Sequence, residues 1–173
     1  MKKFTVLLLF FATTFSLAQE AETKYPQDID KKYEFKVNVL TLVAGPWIDA
    51  SFEKLINEES SYGLSATYNT NTDESDLNYA ITPYYRRYFS GKFARGFFVE
   101  GFGALFSARD YEGFYNYNNE FETGFAMGVS VGGKFVSKKG FTTELLLGVG
   151  RNLIRDSNYE GFPRIGISVG YRF

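Results

Sequence analysis

The sequence contains no cysteine and no histidine among its 173 residues. Without histidine, the chain has no Ser-His-Asp triad, no Cys-His dyad and no histidine-bearing metal site. Without cysteine, it has no disulfide, no thiolate zinc site, no cysteine nucleophile and no lipid anchor built on an N-terminal cysteine. We therefore expect a protein that is not an enzyme and that holds no cofactor or metal.

Aromatic residues and glycine are abundant instead. Phe, Trp and Tyr make up 19% of the chain, and there are 17 Gly. Hydrophobic residues are 45% and charged residues 23%, a composition that excludes a disordered chain. The length fits one domain of ordinary size.

The start of the chain has the three parts of a secretory signal peptide. Lys2 and Lys3 precede a mostly apolar run over 4–17, and Ser16-Leu17-Ala18 is a small-x-small cleavage site. The run is shorter than the roughly 20 residues that a membrane-spanning helix needs. We predict a signal peptide over 1–18, a flexible periplasmic lead-in over 19–32 and one domain over 33–173.

From Tyr33 onward, apolar residues recur at every second position, which is the period of a β-strand. In the last segment, the odd positions from Pro163 to Phe173 are apolar or aromatic, whereas the even positions are small, polar or charged. Segment 96–108 is strand-like but apolar on both faces, so its orientation, and that of Glu100, stays open. The predicted strands are 33–43, 48–56, 62–69, 77–88, 96–108, 125–135, 141–152 and 163–173.

This pattern predicts an all-β fold, an eight-stranded antiparallel up-and-down transmembrane β-barrel, because spanning strands need about 9–11 residues each. The connections alternate in length, although the first (44–47) is short where the pattern requires a long one. Short turns at one rim and long loops at the other are typical of outer-membrane barrels. The short turns are 57–60, 91–95 and 137–140, and the long loops are 70–76, 109–121 and 154–161.

Alternation alone does not distinguish a membrane barrel from a soluble, lipocalin-like one, in which the apolar face is turned inward. Three features favour the membrane. The polar face is rich in Gly, Ser, Ala and Thr, as a narrow lumen requires, and aromatic residues lie near strand ends on the apolar face. The third is that the chain ends in Phe, with Tyr two residues before it, on the apolar face of the last strand. A soluble periplasmic or secreted barrel that binds a small apolar ligand remains the main alternative.

The C-terminal strand ends with Tyr171 and Phe173 on its apolar face, and this ending resembles the assembly signal of bacterial outer-membrane barrels. The stretch 83–89 (PYYRRYF), followed by 97–101 (FFVEG), resembles small outer-membrane barrels of Bacteroidetes-type bacteria. That resemblance covers about 33–173. It implies a family of unknown function that is similar in architecture to OmpA/OmpX-type barrels, and it transfers no functional residue.

The face opposite the apolar one carries isolated charges whose sign alternates from strand to strand, except on the third strand, which has none. An eight-stranded barrel is just wide enough for side chains to fill its interior, so charges there must be paired. We predict an ion-pair network that plugs the lumen, with a paired-carboxylate acid/base site or a gate as the alternative. The predicted members are Lys36, Glu53, Arg86, Glu100, Lys134, Glu144 and Arg172.

The loop over 110–122 combines acidic and aromatic residues, which suggests a surface for a sugar, a protein or calcium, or simply a hydrated extension of the hairpin. Its candidate contact residues are Asp110, Tyr111, Glu112, Phe114, Tyr115, Tyr117 and Glu120.

The expected role is structural or adhesive, in the bacterial outer membrane after secretion. Expected partners are outer-membrane lipid, the barrel-assembly machinery and an unknown surface ligand. We expect a monomer and no nucleic-acid partner. A narrow channel and a lipid-modifying barrel enzyme are the remaining alternatives. The predicted plug argues against the channel, and the lack of histidine argues against the enzyme.

Overall fold

The computed structural model describes residues 30–72, 75–109, 121–154 and 160–173. Within these ranges, eight antiparallel strands follow one another around a closed barrel, in which β1 pairs with both β2 and β8. The predicted all-β, eight-stranded antiparallel barrel is therefore confirmed as a fold. Its elements are β1 (Tyr33–Asn38), α1 (Val39–Ala44), β2 (Trp47–Leu55), β3 (Ser60–Asn69), β4 (Leu77–Tyr88), β5 (Gly96–Arg109), β6 (Phe121–Val136), β7 (Phe141–Asn152) and β8 (Gly161–Arg172).

Side-chain exposure follows the period of two seen in the sequence. On β8, Ile165 and Val169 are 53% and 45% exposed, whereas Arg172 is fully buried. Strand β5, whose two faces are both apolar in sequence, obeys the same rule. Phe98 and Glu100 point inward and are fully buried, whereas Phe97 is 52% exposed. Apolar side chains thus cover the outside of the barrel, and most charged strand residues lie inside.

The interior contains two apolar layers with charged side chains between them. One layer lies toward the long loops, where Phe106 packs on Phe162 with ring centroids 5.1 Å apart. The other lies toward the short turns, where Tyr88 packs on Phe98 at 5.5 Å. Both layers shield the charged side chains that they enclose.

Large rings on β5 fit into the lumen because β6 places glycine directly opposite them. The register pairs Phe106 with Gly124, Phe102 with Gly128 and Phe98 with Gly132. A Cβ atom added at any of these glycines would lie about 2.5 Å or less from the opposite ring. Each ring therefore covers the glycine opposite it and fills the space that a side chain would occupy there, an arrangement known to stabilise glycine in a β-sheet.

The prediction of a first strand over 33–43 is wrong beyond Asn38. Alternation fails after this residue, because Val39 and Leu40 are both apolar, and so are Leu42 and Val43. Residues 39–44 form α1 instead, and the connection to β2 therefore runs over 39–46. The expected short first connection (44–47) is corrected to a longer one, at the same rim as the other long loops. No helix in the described parts of the chain is long and apolar enough to cross a membrane.

The turn between β4 and β5 folds over the end of the lumen. Ala94 in this turn is fully buried, and its backbone adopts a positive φ of 40°. Arg172 donates hydrogen bonds to the carbonyl oxygens of Phe93 and Ala94, at 3.2 and 2.9 Å. This turn therefore closes the barrel at the rim of the short turns, a role that its sequence did not indicate.

We predict that Gly128→Val destabilises the barrel by about 1–3 kcal/mol, because the added side chain must displace Phe102 or the β7 backbone. The measurement is urea unfolding of the refolded protein in detergent. Gly101→Val is the matched control, since nothing lies within 4 Å of the added Cβ there, and we expect a change within about 0.5 kcal/mol. Equal losses in both variants would contradict the role given to the aromatic–glycine pairs.

Candidate functional site

The structure brings all seven side chains of the predicted lumen network into one buried cluster. They come from seven strands, each from the face that points into the barrel, and each is at most 3% exposed. We name this group, together with Glu34, the lumen cluster. The seven predicted members are Lys36, Glu53, Arg86, Glu100, Lys134, Glu144 and Arg172.

Glu53 is the hub of the lumen cluster, because three cationic side chains from different strands reach it. Lys36 Nζ lies 2.5 Å and Arg86 Nη1 2.9 Å from its Oε2 atom. Lys134 Nζ lies 2.7 Å from its Oε1 atom. The carboxylate is therefore held from both of its oxygens.

Two neutral groups complete the coordination of this carboxylate. The Ser61 hydroxyl donates to Glu53 Oε1 at 2.6 Å, and the Tyr88 hydroxyl donates to the same oxygen at 2.8 Å. Strand β3, which offers no charge to the lumen, thus contributes through a serine. Both residues lie on inward faces, and this alternation was the available sequence signal for them.

Arg86 joins two further carboxylates to the hub. Its Nε donates to Glu100 at 2.7 Å, and its Nη1 and Nη2 donate to the two oxygens of Glu144 at 2.7 and 2.8 Å. The guanidinium lies between the rings of Tyr84 and Phe98, each with its centroid 4.4 Å away. Glu100 and Glu144 are therefore tied together through a cation, and they do not form an open pair of carboxylates.

Glu34 is a member of the lumen cluster that the sequence analysis did not select. Its carboxylate binds Lys134 Nζ at 2.8 Å and Arg172 Nη2 at 2.7 Å, and it is fully buried. It shares the inward face of β1 with Lys36, so strand parity was sufficient to find it. Its inclusion balances the cluster at four cations and four carboxylates.

This balance explains how so much charge is buried. Taking an ion out of water costs several kcal/mol, and that cost is offset only where pairing and hydrogen bonding are nearly complete. Each of the four carboxylates contacts at least one cation within 2.8 Å. The four cations and the four carboxylates thus neutralise one another, and their ion pairs link seven of the eight strands.

A second polar group lies beside the cluster, toward the long loops. Asp49 accepts hydrogen bonds from Ser65 at 2.7 Å and from the Asn38 amide at 3.1 Å. Arg164 lies close by, with Nη1 3.5 Å from Glu100 Oε1. It makes no hydrogen bond to any residue that the structure describes, unlike the members of the lumen cluster.

The two residues of the predicted assembly signal lie on the outer surface at the rim of the short turns. Tyr171 is 40% exposed and packs edge-on against Phe141, with ring centroids 5.4 Å apart. Phe173 is 51% exposed, and its backbone exchanges hydrogen bonds with Tyr33 across the barrel seam.

Several predictions concern residues outside the described ranges. These are the signal peptide over 1–18, most of the lead-in over 19–32, and the loop residues Asp110, Tyr111, Glu112, Phe114, Tyr115, Tyr117 and Glu120. In the ranges that are described, no group of three or more acidic side chains is arranged to hold a metal ion.

The fold and the lumen cluster define a class, the small closed antiparallel barrels whose interior is filled by side chains. The chain belongs to the family described as "Protein of unknown function (DUF3575)", whose model matches residues 4–169. No curated protein and no solved structure matches this chain. Membership of an unknown-function family is thus confirmed. The Bacteroidetes origin and the OmpA/OmpX likeness stay predictions.

We predict that Glu53→Gln destabilises the barrel by about 3–5 kcal/mol, because it leaves buried cations without their shared counter-ion. Glu59→Gln is the matched control. Glu59 also pairs with an arginine, Arg87, but these side chains are 58% and 52% exposed, and we expect a loss below about 1 kcal/mol. The measurement is the free energy of unfolding in detergent. Losses of similar size in the two variants would contradict the hub role of Glu53.

Proposed function

We propose that this protein is a non-enzymatic outer-membrane β-barrel of bacteria, with a lumen closed by the lumen cluster and a structural or surface-interaction role. One observation carries the proposal. Large apolar side chains are exposed on the outer face of every strand, all the way around the barrel. Examples from β1 to β8 in order are Phe35, Phe52, Leu64, Ile81, Phe97, Val129, Leu147 and Ile165.

Such a surface suits lipid better than water. Soluble monomers rarely expose a continuous apolar patch larger than a few hundred Å², whereas here the apolar surface encircles the molecule. A closed barrel also satisfies its strand hydrogen bonds internally, which is what a bilayer requires. The apolar outside and charged inside therefore fit a barrel that spans the membrane.

The aromatic residues at the rim of the short turns also fit a barrel that spans the membrane. Tyr33, Phe52 and Phe173 form a group of neighbouring rings with centroids 5.7–6.5 Å apart on the outer surface. Aromatic girdles of this kind lie at the interfaces of membrane barrels. We infer that this rim faces the periplasm, and that Tyr171 and Phe173 serve as the signal for the barrel-assembly machinery.

The alternatives fit less well. A soluble, lipocalin-like barrel needs its apolar faces inside, and here they point outward. A narrow channel needs a free path through the lumen, which the lumen cluster occupies between two apolar layers. A lipid-modifying barrel enzyme would have to work without histidine. In our proposal, the acidic, aromatic residues over 110–120, which precede β6 in the sequence, supply the surface for an external partner.

A gel of the outer-membrane fraction, run with and without boiling, tests the proposal. We expect the unboiled protein to migrate as a folded, SDS-resistant species and to shift on heating, because the closed sheet holds until thermal energy opens it. The periplasmic fraction of the same cells is the control. A protein that is recovered there, without a heat-dependent shift, would overturn the membrane assignment.

We predict that Val129→Arg costs about 2–4 kcal/mol in phospholipid vesicles, because it places a charge on the lipid face near mid-membrane. Val129 is 62% exposed at the middle of β6. Ile56→Arg is the depth control, since Ile56 is exposed at the rim of the short turns, and it should cost about 0–1 kcal/mol.

The measurement is the folding free energy from a denaturant titration in vesicles. In a water-exposed barrel, both substitutions would change stability by no more than about 0.5 kcal/mol. That result would contradict the proposal.

A further inference from the structure

The barrel wall changes character where β1 ends. Strand β1 has six residues, whereas β8 beside it has twelve. Its register with β8 stops at Asn38 and Ser168, and its register with β2 stops at Val37 and Ala50. Beyond these points, the edges of β2 and β8 face each other across a gap, and α1 packs against both.

Two residues adapt these edges to the missing strand. The Asn38 side chain donates to the carbonyl oxygen of Ile165 at 3.2 Å and accepts from the backbone N–H of Ile167 at 3.1 Å, so it stands in for one more step of the ladder. Alternation places the nitrogen of Pro163 on the same edge. Proline has no N–H to leave unpaired there. The gap is therefore built into the sequence.

A cavity of about 490 Å³ lies behind α1, beside this gap. It is lined by Leu40 of the helix, by the inward-facing Phe162, and by Pro163 and Ile165 from the outer face of β8. Residues from both faces of β8 therefore line the cavity, next to the gap in the barrel wall. Most of its wall is apolar, and its volume lies within the roughly 300–1,000 Å³ of small-molecule sites.

The guanidinium group of Arg164, which lines this cavity, has few polar partners. Arg164 is 12% exposed and lies between the rings of Tyr84 and Phe102, each with its centroid 5.2 Å away. Its nearest carboxylate, Glu100, is 3.5 Å away, and Nη1 has no hydrogen-bond partner. Guanidinium groups bind carboxylates in a planar, charge-assisted manner. An anionic ligand group would supply what Arg164 lacks.

We propose that this cavity binds a free fatty acid from the surrounding bilayer, with its carboxylate at Arg164 and its chain running past Phe162 and Trp47 to the gap at α1. The inference rests on the membrane assignment, because the bilayer supplies the ligand. The cavity has room for one chain. Asp49, which also lines it, repels any anion, and it repels the larger negative charge of a phosphate headgroup more strongly than the single charge of a carboxylate.

The only tryptophan of the sequence, Trp47, lines the cavity and can report binding. The experiment is a titration of the barrel, in nanodiscs of unbrominated phosphatidylcholine, with dibromostearic acid. Bromine quenches tryptophan fluorescence on contact. We expect saturable quenching, and we expect its amplitude to fall in Thr67→Phe, which fills the cavity from β3.

Arg164→Gln should weaken the apparent affinity for dibromostearic acid at least about tenfold, the worth of a charge-assisted hydrogen bond. Arg87→Gln is the matched control, since it removes an exposed arginine near the opposite rim, and it should leave the affinity unchanged. The methyl ester of the same acid should bind weakly, and Arg164→Gln should not change its affinity.

One result would overturn the inference, namely quenching that rises without saturation and is equal in the parent protein and in both variants, Arg164→Gln and Thr67→Phe. Such quenching would reflect contact of the tryptophan with the bilayer alone. Tight binding of the methyl ester, or saturation only by a brominated lysophosphatidic acid, would overturn the carboxylate assignment. The heat-dependent gel shift verifies that each variant is folded. A barrel that inserts but is not saturably quenched overturns this inference alone, whereas one that fails to insert overturns the membrane assignment and this inference with it.

Discussion

Four cationic and four carboxylate side chains are buried together in the lumen, and the rest of the barrel is arranged around that pairing. None of these groups can lose its partner without leaving a buried charge, whose cost is comparable to a large part of a domain's total stability. Because Glu53 alone binds cations from three other strands, the pairing couples distant parts of the sheet. The ion pairs therefore help to fix which faces of these strands point inward.

The apolar layers on either side of the lumen cluster serve this pairing. They place apolar surroundings next to the charges, which strengthens each interaction between opposite charges and makes each unpaired group more costly. Arg86 illustrates the arrangement, since it binds carboxylates along its edge while Tyr84 and Phe98 cover its two planar faces. Small residues opposite the rings leave the room that this stacking needs, so the glycines of β6 contribute to the burial of charge on β4.

Much of this architecture could be predicted from the sequence, because alternation with a period of two survives on most strands. Parity alone places Lys36, Arg86 and Lys134 inside. It fails where both faces are apolar, as on β5, since only packing against the β6 glycines turns Phe98 inward. It also fails at the end of β1, where Asn38 replaces backbone pairing with a side-chain amide. The inward fold of the turn around Ala94 depends on Arg172, far away in sequence, and no local pattern indicates it.

A closed sheet seals its own edges, and the gap above Asn38 departs from that rule at a specific place. An unpaired strand edge is costly wherever water cannot satisfy its backbone groups. The chain meets this cost with Asn38, with Pro163 and with the apolar helix α1, three separate adaptations within a short stretch of wall. A few more residues of regular β1 strand would have closed the same stretch of the wall without these special residues. In our proposal, the cavity behind α1 gives a physical reason for the open form, since a continuous strand would separate the lumen from the lipid.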